Sequence, residues 1–189
     1  MKRKRIIKGL CIILICTIVL GLLTSSTVEA KAKKGKFTLT YKGKTVVLMT
    51  TKTNKKSSQL IDSASLYEVK KTWKDLKYNK KKSWGYHEYY GIKKGKTKIY
   101  FYAYGDEKKS DKKRNLGGFD IDIKTKNIAL CGVEVGMTKK EAMSILRKQF
   151  DKKAIEYKDG SIWLWYSGFI PTHFYIKNGK VVEMKFFCS

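Results

Sequence analysis

The chain is poor in the residues from which catalytic and metal sites are usually built. It has only two histidines, His87 and His173, and neither stands at metal-ligand spacing from another histidine or a cysteine. The HExxH and G-x-S-x-G motifs, a glycine-rich phosphate-binding loop and the aspartate spacing of a calcium loop are all absent. We therefore predict a protein that is not an enzyme and that uses no metal or cofactor.

Cysteine is also scarce. Cys11 and Cys16 lie in an apolar run near the N-terminus, and only Cys131 and Cys188 stand beyond it. An even number of cysteines in an exported chain permits a disulfide between these two. The alternative is that both are unpaired small hydrophobic residues buried in one sheet. A nucleophile-base pair of Cys131 and His173 is disfavoured, because a cysteine on an apolar strand is usually inert.

Acidic residues are few: 42 basic residues face 16 acidic ones, and the net charge is +26. Arginine is nearly absent from the basic set, since Arg114 and Arg147 are the only arginines beyond residue 30. Arginine reads phosphates and base edges bidentately and lysine does not, so we expect no specific nucleic-acid recognition. The lysines indicate either a solvated surface or attraction to anionic wall polymers and membrane surfaces.

Residues 1–30 have the pattern of a secretory signal peptide. Basic residues precede an apolar run over residues 9–23, and Val28-Glu29-Ala30 follows as a small-residue cleavage site. An uncleaved membrane anchor is the alternative, but the run is shorter than the roughly 20 residues that span a bilayer. We predict cleavage after Ala30 and a secreted protein that can associate with the cell wall.

The segment after the cleavage site begins with a lysine-rich leader over residues 31–36, which we predict to be mobile. Residues 37–51 then show strand-like alternation and β-branched residues on either side of Lys42-Gly43, which predicts a β-hairpin. The polar residues 52–58 show no period and predict a loop.

Two later stretches share one pattern and are predicted to be copies of one unit. Ser65 stands three residues before Glu68, as Thr138 stands three residues before Glu141, and this is the spacing of a capping box at a helix start. Apolar residues at helical spacing follow each box. The predicted helices cover residues 66–77 and 139–150.

Alternating apolar and polar residues predict three strands after each helix. They cover residues 84–92, 97–104 and 118–123 in the first unit, and 161–166, 172–177 and 180–188 in the second. We therefore predict an α+β fold: two repeats of a helix packed on an antiparallel β-meander, preceded by an N-terminal β-hairpin. The first unit, with the hairpin, covers residues 37–127, and the second covers residues 128–189.

The turn at residues 136–138, which leads into Glu141-Ala142, and the strands after it carry a resemblance to known families. They resemble the small exported domains of the β-lactamase-inhibitor-like fold in tandem, and the SmpA/OmlA-type outer-membrane assembly domains. In the first unit, residues 63–65 replace the glycine turn. The resemblance implies a protein-binding or scaffold role, with no catalytic residues.

Aromatic residues recur at alternating strand positions. Tyr100, Tyr102 and Tyr104 point to one side of their strand, and the apolar residues between them make the better core set. We therefore predict an exposed tyrosine face, extended by Trp163 and Trp165, that binds a protein or a glycan. The alternative is that these aromatic rows are core packing.

Three functions follow from these patterns. The first is a non-enzymatic exported module that binds a protein or associates with the cell envelope. The second is a secreted hydrolase acting on the cell wall, which the missing catalytic residues disfavour. The third is a purely electrostatic binder of anionic wall polymers. We predict the first.

Overall fold

β-strands dominate the computed structural model, which describes residues 34–53, 58–83, 87–104, 116–165 and 171–188. Thirteen strands lie in these ranges: β1 Lys34–Tyr41, β2 Lys44–Thr53, β3 Ser58–Ser63, β4 Lys77–Tyr78, β5 His87–Lys94, β6 Thr97–Tyr104, β7 Leu116–Ile123, β8 Ile128–Leu130, β9 Val133–Glu134, β10 Ile155–Lys158, β11 Ser161–Trp165, β12 Pro171–Lys177 and β13 Lys180–Cys188. The same ranges hold the helices α1 Leu66–Thr72 and α2 Lys139–Gln149, and a 3-10 turn Lys152–Ala154.

The strands form two antiparallel sheets. The larger has eight strands in the order β10-β11-β12-β13-β7-β6-β5-β4, and the smaller has five in the order β3-β2-β1-β8-β9. Two four-stranded meanders therefore meet side by side in the larger sheet, where β13 pairs with β7 and Phe186 lies opposite Ile121.

This mainly β architecture shows that the predicted α+β repeat of a helix packed on a meander is wrong. The N-terminal hairpin does not stand before two repeats but pairs through β1 with β8, and so forms the centre of a second sheet. β8 lies between β1 and β9, and all three of its residues are buried. A short apolar strand of this kind has no alternation from which its partner can be predicted.

The core lies between the two sheets. Phe37 of β1 stacks on Phe186 of β13 with ring centroids 5.3 Å apart, and lies edge-on to Phe150 at 4.9 Å. Trp73, which follows α1, stacks on Phe101 of β6 at 5.8 Å. Burial of each such ring contributes about 1.5–3 kcal/mol, so these contacts hold the sheets face to face. We call the core side of the eight-stranded sheet its inner face and the other side its outer face.

Both helices begin with the predicted capping boxes. The Ser65 hydroxyl accepts a 3.2 Å hydrogen bond from the Glu68 N–H, and the Glu68 carboxylate accepts one of 2.8 Å from the Ser65 N–H. Thr138 and Glu141 form the same pair of bonds at 3.2 and 2.8 Å. The boxes satisfy backbone donors that the first helical turn leaves without partners.

α1 ends at Thr72, well before the predicted end at residue 77. The backbone becomes extended at Trp73 because the indole enters the core, where its Nε1 donates a 3.2 Å hydrogen bond to the Tyr41 carbonyl. Neither helix in the described ranges is long and apolar enough to cross a membrane.

Two further predictions near the N-terminus need correction. β1 begins at Lys34, so the last three residues of the predicted mobile leader, residues 31–36, belong to a strand. β2 extends to Thr53 and pairs with β3, so the predicted loop over residues 52–58 is in strand at both of its ends. Strand pairing uses backbone groups, and a polar sequence therefore does not prevent it at the edge of a sheet.

Candidate binding face on the eight-stranded sheet

The two faces of the eight-stranded sheet differ in what covers them. Ile99, Phe101 and Ala103 of β6 are fully buried in the core between the sheets. Tyr100 and Tyr102 alternate with them and therefore lie on the outer face. The buried residues of both helices also belong to the core. The helices and the smaller sheet thus pack on the inner face.

Tyr100 and Tyr102 do not form the exposed patch that we predicted, since each is only 6% exposed. Each ring lies over a glycine of a neighbouring strand. A Cβ atom on Gly91 would come within 2.7 Å of the Tyr100 ring, and one on Gly118 within 2.3 Å of the Tyr102 ring. A glycine leaves a hollow in the sheet surface that an aromatic ring can fill. The alternation along β6 therefore predicted the correct face for both tyrosines, but it did not predict that their side chains are buried.

Lys82 covers the same end of the outer face. Its Nζ lies 4.0 Å from the ring centroid of Tyr100 and 5.6 Å from that of Tyr89, and 2.9 Å from a carboxylate oxygen of Asp120. These cation–π and ionic contacts hold the lysine over the rings. The side chain of Tyr104 lies outside the described residues. Tyr100 and Tyr102, the two tyrosines of the predicted surface whose side chains are described, are thus packed.

The tryptophans at the other end of the sheet are more open. Trp163 and Trp165 of β11 are both half-buried, whereas Ile162 and Leu164 between and beside them are fully buried in the core. The outer face of β11 therefore carries the two indoles.

The two indoles belong to a larger group of rings on the outer face. Ring centroids lie 5.5 Å apart for Trp163 and Trp165, 4.4 Å for Trp163 and His173, and 5.7 Å for His173 and Tyr175. We call these four residues the tryptophan cluster. Sequence reasoning did not include His173 and Tyr175 in the binding face, although their alternation along β12 is visible and β12 pairs Trp163 directly with His173.

Two polar groups in the tryptophan cluster have unusual surroundings. The Nε1 of Trp163 is buried and has no hydrogen-bond acceptor among the described residues. A buried donor without a partner costs about 1–3 kcal/mol. Burial, and secondly the positive charge of Lys185, lowers the pKa of His173 below its ordinary value of 6.5. His173 is therefore neutral at pH 7, and the cluster is an uncharged aromatic surface.

The centre of the outer face carries charges that compensate one another. The Nζ of Lys124 lies 3.0 Å from Asp122 and 3.3 Å from Glu183, and that of Lys185 lies 2.9 Å from Glu183. Burial alone would raise the pKa of Glu183, but the hydrogen bonds and charges of the two lysines outweigh it and lower that pKa. Together with the ion pair between Lys82 and Asp120, these contacts match three lysines with three carboxylates.

The two cysteines do not form the disulfide that the sequence permits. Cys131 and Cys188 are both free thiols. Cys131 follows β8 of the smaller sheet and Cys188 ends β13 of the larger one, so the alternative of two cysteines in one sheet is also incorrect. Burial raises the pKa of Cys131 to about 12, although a backbone hydrogen bond with Thr38 opposes the shift. The Cys131 thiol is therefore protonated at neutral pH and is a poor nucleophile.

The remaining residues considered for catalysis or metal binding are the two histidines. His173 lies in the tryptophan cluster, while the side chain of His87 is outside the described residues. Within the part of the chain that the structure describes, no three His, Cys, Asp or Glu side chains are grouped to hold a metal ion.

Comparison with known proteins does not assign the chain to a family. No family model, no curated protein and no solved structure matches it. The resemblance to β-lactamase-inhibitor-like and SmpA/OmlA-type domains therefore stays a prediction.

Proposed function

We propose that the protein is an exported, non-enzymatic binding module of the cell envelope, and that it binds a partner protein on the outer face of the eight-stranded sheet. The observation that carries this proposal is the tryptophan cluster, an uncharged group of half-buried rings on a face that the helices leave open. Export rests on the signal-peptide pattern of residues 1–30, which lie outside the described residues.

The composition of the outer face favours a protein partner over a glycan. Tryptophan, tyrosine and phenylalanine are enriched in the centres of protein interfaces, where charged residues are depleted. Phe187 of β13 adds a side chain that is 51% exposed on the same face, two residues beyond Lys185. A glycan site also needs polar side chains for the sugar hydroxyls, and the lysines and carboxylates at the centre of this face are engaged with one another.

The Trp163 Nε1 indicates how a partner would be held. If the side chains that cover it move aside on binding, a carbonyl group of the partner would supply the acceptor that this buried donor lacks, and the cost of leaving the donor unpaired would be relieved. Because the neighbouring charges are compensated, the affinity would come from apolar and ring contacts and would depend little on ionic strength.

The test is capture of partners from a cell-envelope extract by the immobilised protein at low and high salt. We expect at least one protein to be retained at high salt, and we expect Trp163→Ala/Trp165→Ala to reduce its affinity about 30-fold or more, as for interface hot spots of about 2 kcal/mol. The matched control is Tyr67→Ala/Tyr78→Ala, which removes rings that are 38% and 54% exposed outside the cluster.

Two results would contradict the proposal. One is a partner that both double variants retain equally, because the cluster would then not be the contact surface. The other is capture that survives digestion of the extract with protease, which would identify a glycan in place of a protein.

A further inference from the structure

The two edges of the eight-stranded sheet differ in how they are covered. At one end, β4 and the turn after it close the side of β5. The Asn79 N–H donates a 2.7 Å hydrogen bond to the Tyr89 carbonyl, and the Tyr89 N–H donates one of 3.0 Å to the Ser83 hydroxyl. At the other end, β10 is the last strand, and no strand among the described residues pairs with its free side. Its residues 156–158 are all exposed. β10 is therefore an open edge.

The turn between β10 and β11 decides which backbone groups of this edge are free. Asp159 and Gly160 have φ angles of 49° and 72°, which are typical of a two-residue hairpin turn. The residues that flank such a turn, here Lys158 and Ser161, form a hydrogen-bonded pair. Hydrogen-bonded and non-hydrogen-bonded pairs alternate along an antiparallel ladder. The N–H and C=O groups of Tyr157 therefore point away from β11, toward the free side.

The side chains of β10 carry two opposite charges on either side of a ring. Glu156 pairs opposite Trp163, so Glu156 and Lys158 lie on the outer face and Tyr157 lies on the side of α2. Among the described residues, neither Glu156 nor Lys158 forms an ion pair. Tyr157 is 46% exposed, and its ring centroid lies 4.2 Å from the Nζ of Lys139, which holds the ring in place.

We propose that β10 pairs antiparallel with β10 of a second copy of the chain, with the two Tyr157 residues opposite each other. In this register the outward N–H and C=O groups of each Tyr157 bond to those of the other. Glu156 of each copy stands opposite Lys158 of the other. Charged residues usually protect an edge strand from pairing. Here they have opposite signs and stand symmetrically about Tyr157, so a reversed copy of the same strand satisfies both.

This contact predicts a weak and reversible dimer. It contains two backbone hydrogen bonds, two ion pairs and one ring contact, which is less than the roughly 1,200 Å² that a stable interface buries. Residues directly opposite in a sheet point to the same side, so both outer faces would lie on one side of the dimer. The two β11 strands would be three strand spacings apart, about 14 Å, which brings the two tryptophan clusters side by side. The pairing does not depend on the partner proposed for the outer face.

The test measures self-association of the purified protein by sedimentation equilibrium. Salt of about 0.15 M reduces the Debye length to about 8 Å and so limits the repulsion between two basic copies. We expect a dimer whose population rises with protein concentration. Glu156→Lys and Lys158→Glu each place like charges opposite one another at two positions, and each should weaken association about tenfold or more. A wild-type protein that stays monomeric up to about 1 mM would overturn the proposal.

Charge exchange guards against misfolding of these variants. Glu156→Lys/Lys158→Glu restores opposite charges and should associate like the wild type. An equimolar mixture of the two single variants should form a heterodimer, because one copy is then positive at both positions and the other negative at both. The control for net charge is Lys93→Glu, an exposed position on β5, which should not weaken association. Equal association in all variants, or none in the mixture and the double variant, would overturn the proposal.

Discussion

The outer face of the eight-stranded sheet and the exposed side of α2 differ in how many carboxylates stand among their lysines. At the centre of the outer face, Lys82, Lys124 and Lys185 each meet a carboxylate within 3.0 Å. On the exposed side of α2, Lys139, Lys140 and Lys148 are close together in the sequence, and Glu141 is the only acid of that helix. In the part of the chain that the structure describes, positive and negative side chains are therefore distributed unevenly.

This difference separates two modes of recognition that composition alone cannot distinguish. A partner bound by rings and a buried N–H should resist salt, whereas a polyanion bound by exposed lysines should be released by it. The salt dependence of binding at the tryptophan cluster thus tests the comparison itself. A strong salt effect there would remove the distinction.

The largest loss of stability is expected for Gly118→Ala, which changes the outer face and leaves α2 unchanged. The new Cβ atom would lie 2.0 Å from the Cys188 carbonyl oxygen and 2.3 Å from the Tyr102 ring. Overpacking of this kind costs about 1–3 kcal/mol, which urea unfolding would measure.

Gly91→Ala is the graded control for this substitution. Its Cβ atom would meet the Tyr100 ring at 2.7 Å, but the nearest backbone atom, the Ile99 carbonyl oxygen, lies at 3.4 Å. A ring can move aside more easily than backbone, so the loss of stability should be smaller than for Gly118→Ala. Equal losses of stability in the two variants would show that the clash with the tyrosine ring, and not the clash with the backbone, causes the destabilisation at both glycines.

Much of the local structure could be predicted, because it depends on residues close together in the chain. The Asn178-Gly179 turn has the positive φ angles, 51° and 71°, of a tight hairpin, and β13 begins directly after it at Lys180. The association of the sheets could not be predicted. β1 pairs with β8 across a long sequence separation, and nothing in either strand specifies the other.

The candidate site was predicted in part for a similar reason. Alternation assigns Tyr100 and Tyr102 to the outer face, but their burial depends on Gly91 and Gly118 of neighbouring strands. Register decides which glycine lies under which ring, and register is a property of the paired strands. His173 was not assigned to the binding face because only strand pairing places its ring beside that of Trp163.

The capping boxes stabilise the first turns of the two helices. Ser65→Ala and Thr138→Ala each remove one cap and should each cost about 0.5–2 kcal/mol in the free energy of unfolding, which urea unfolding would measure. A variant as stable as the unchanged protein would show that its capping box does not stabilise the helix.

The smallest expected effect is a pH dependence confined to the tryptophan cluster. His173 packs against Trp163 of β11 and Tyr175 of β12, and it faces Lys185 of β13. Its pKa in the folded protein lies below 6.5, first because burial removes water and then because Lys185 repels a second positive charge. The unfolded chain therefore takes up the proton first, so stability is highest above pH 6.5 and decreases as the pH falls toward the folded-state pKa.

The affinity for the partner should decrease severalfold over the same pH range, because protonation of His173 places a charge within the apolar contact. His173→Gln, which cannot titrate, should abolish the pH dependence at the cluster. Persistence of the dependence in that variant would assign it to another group.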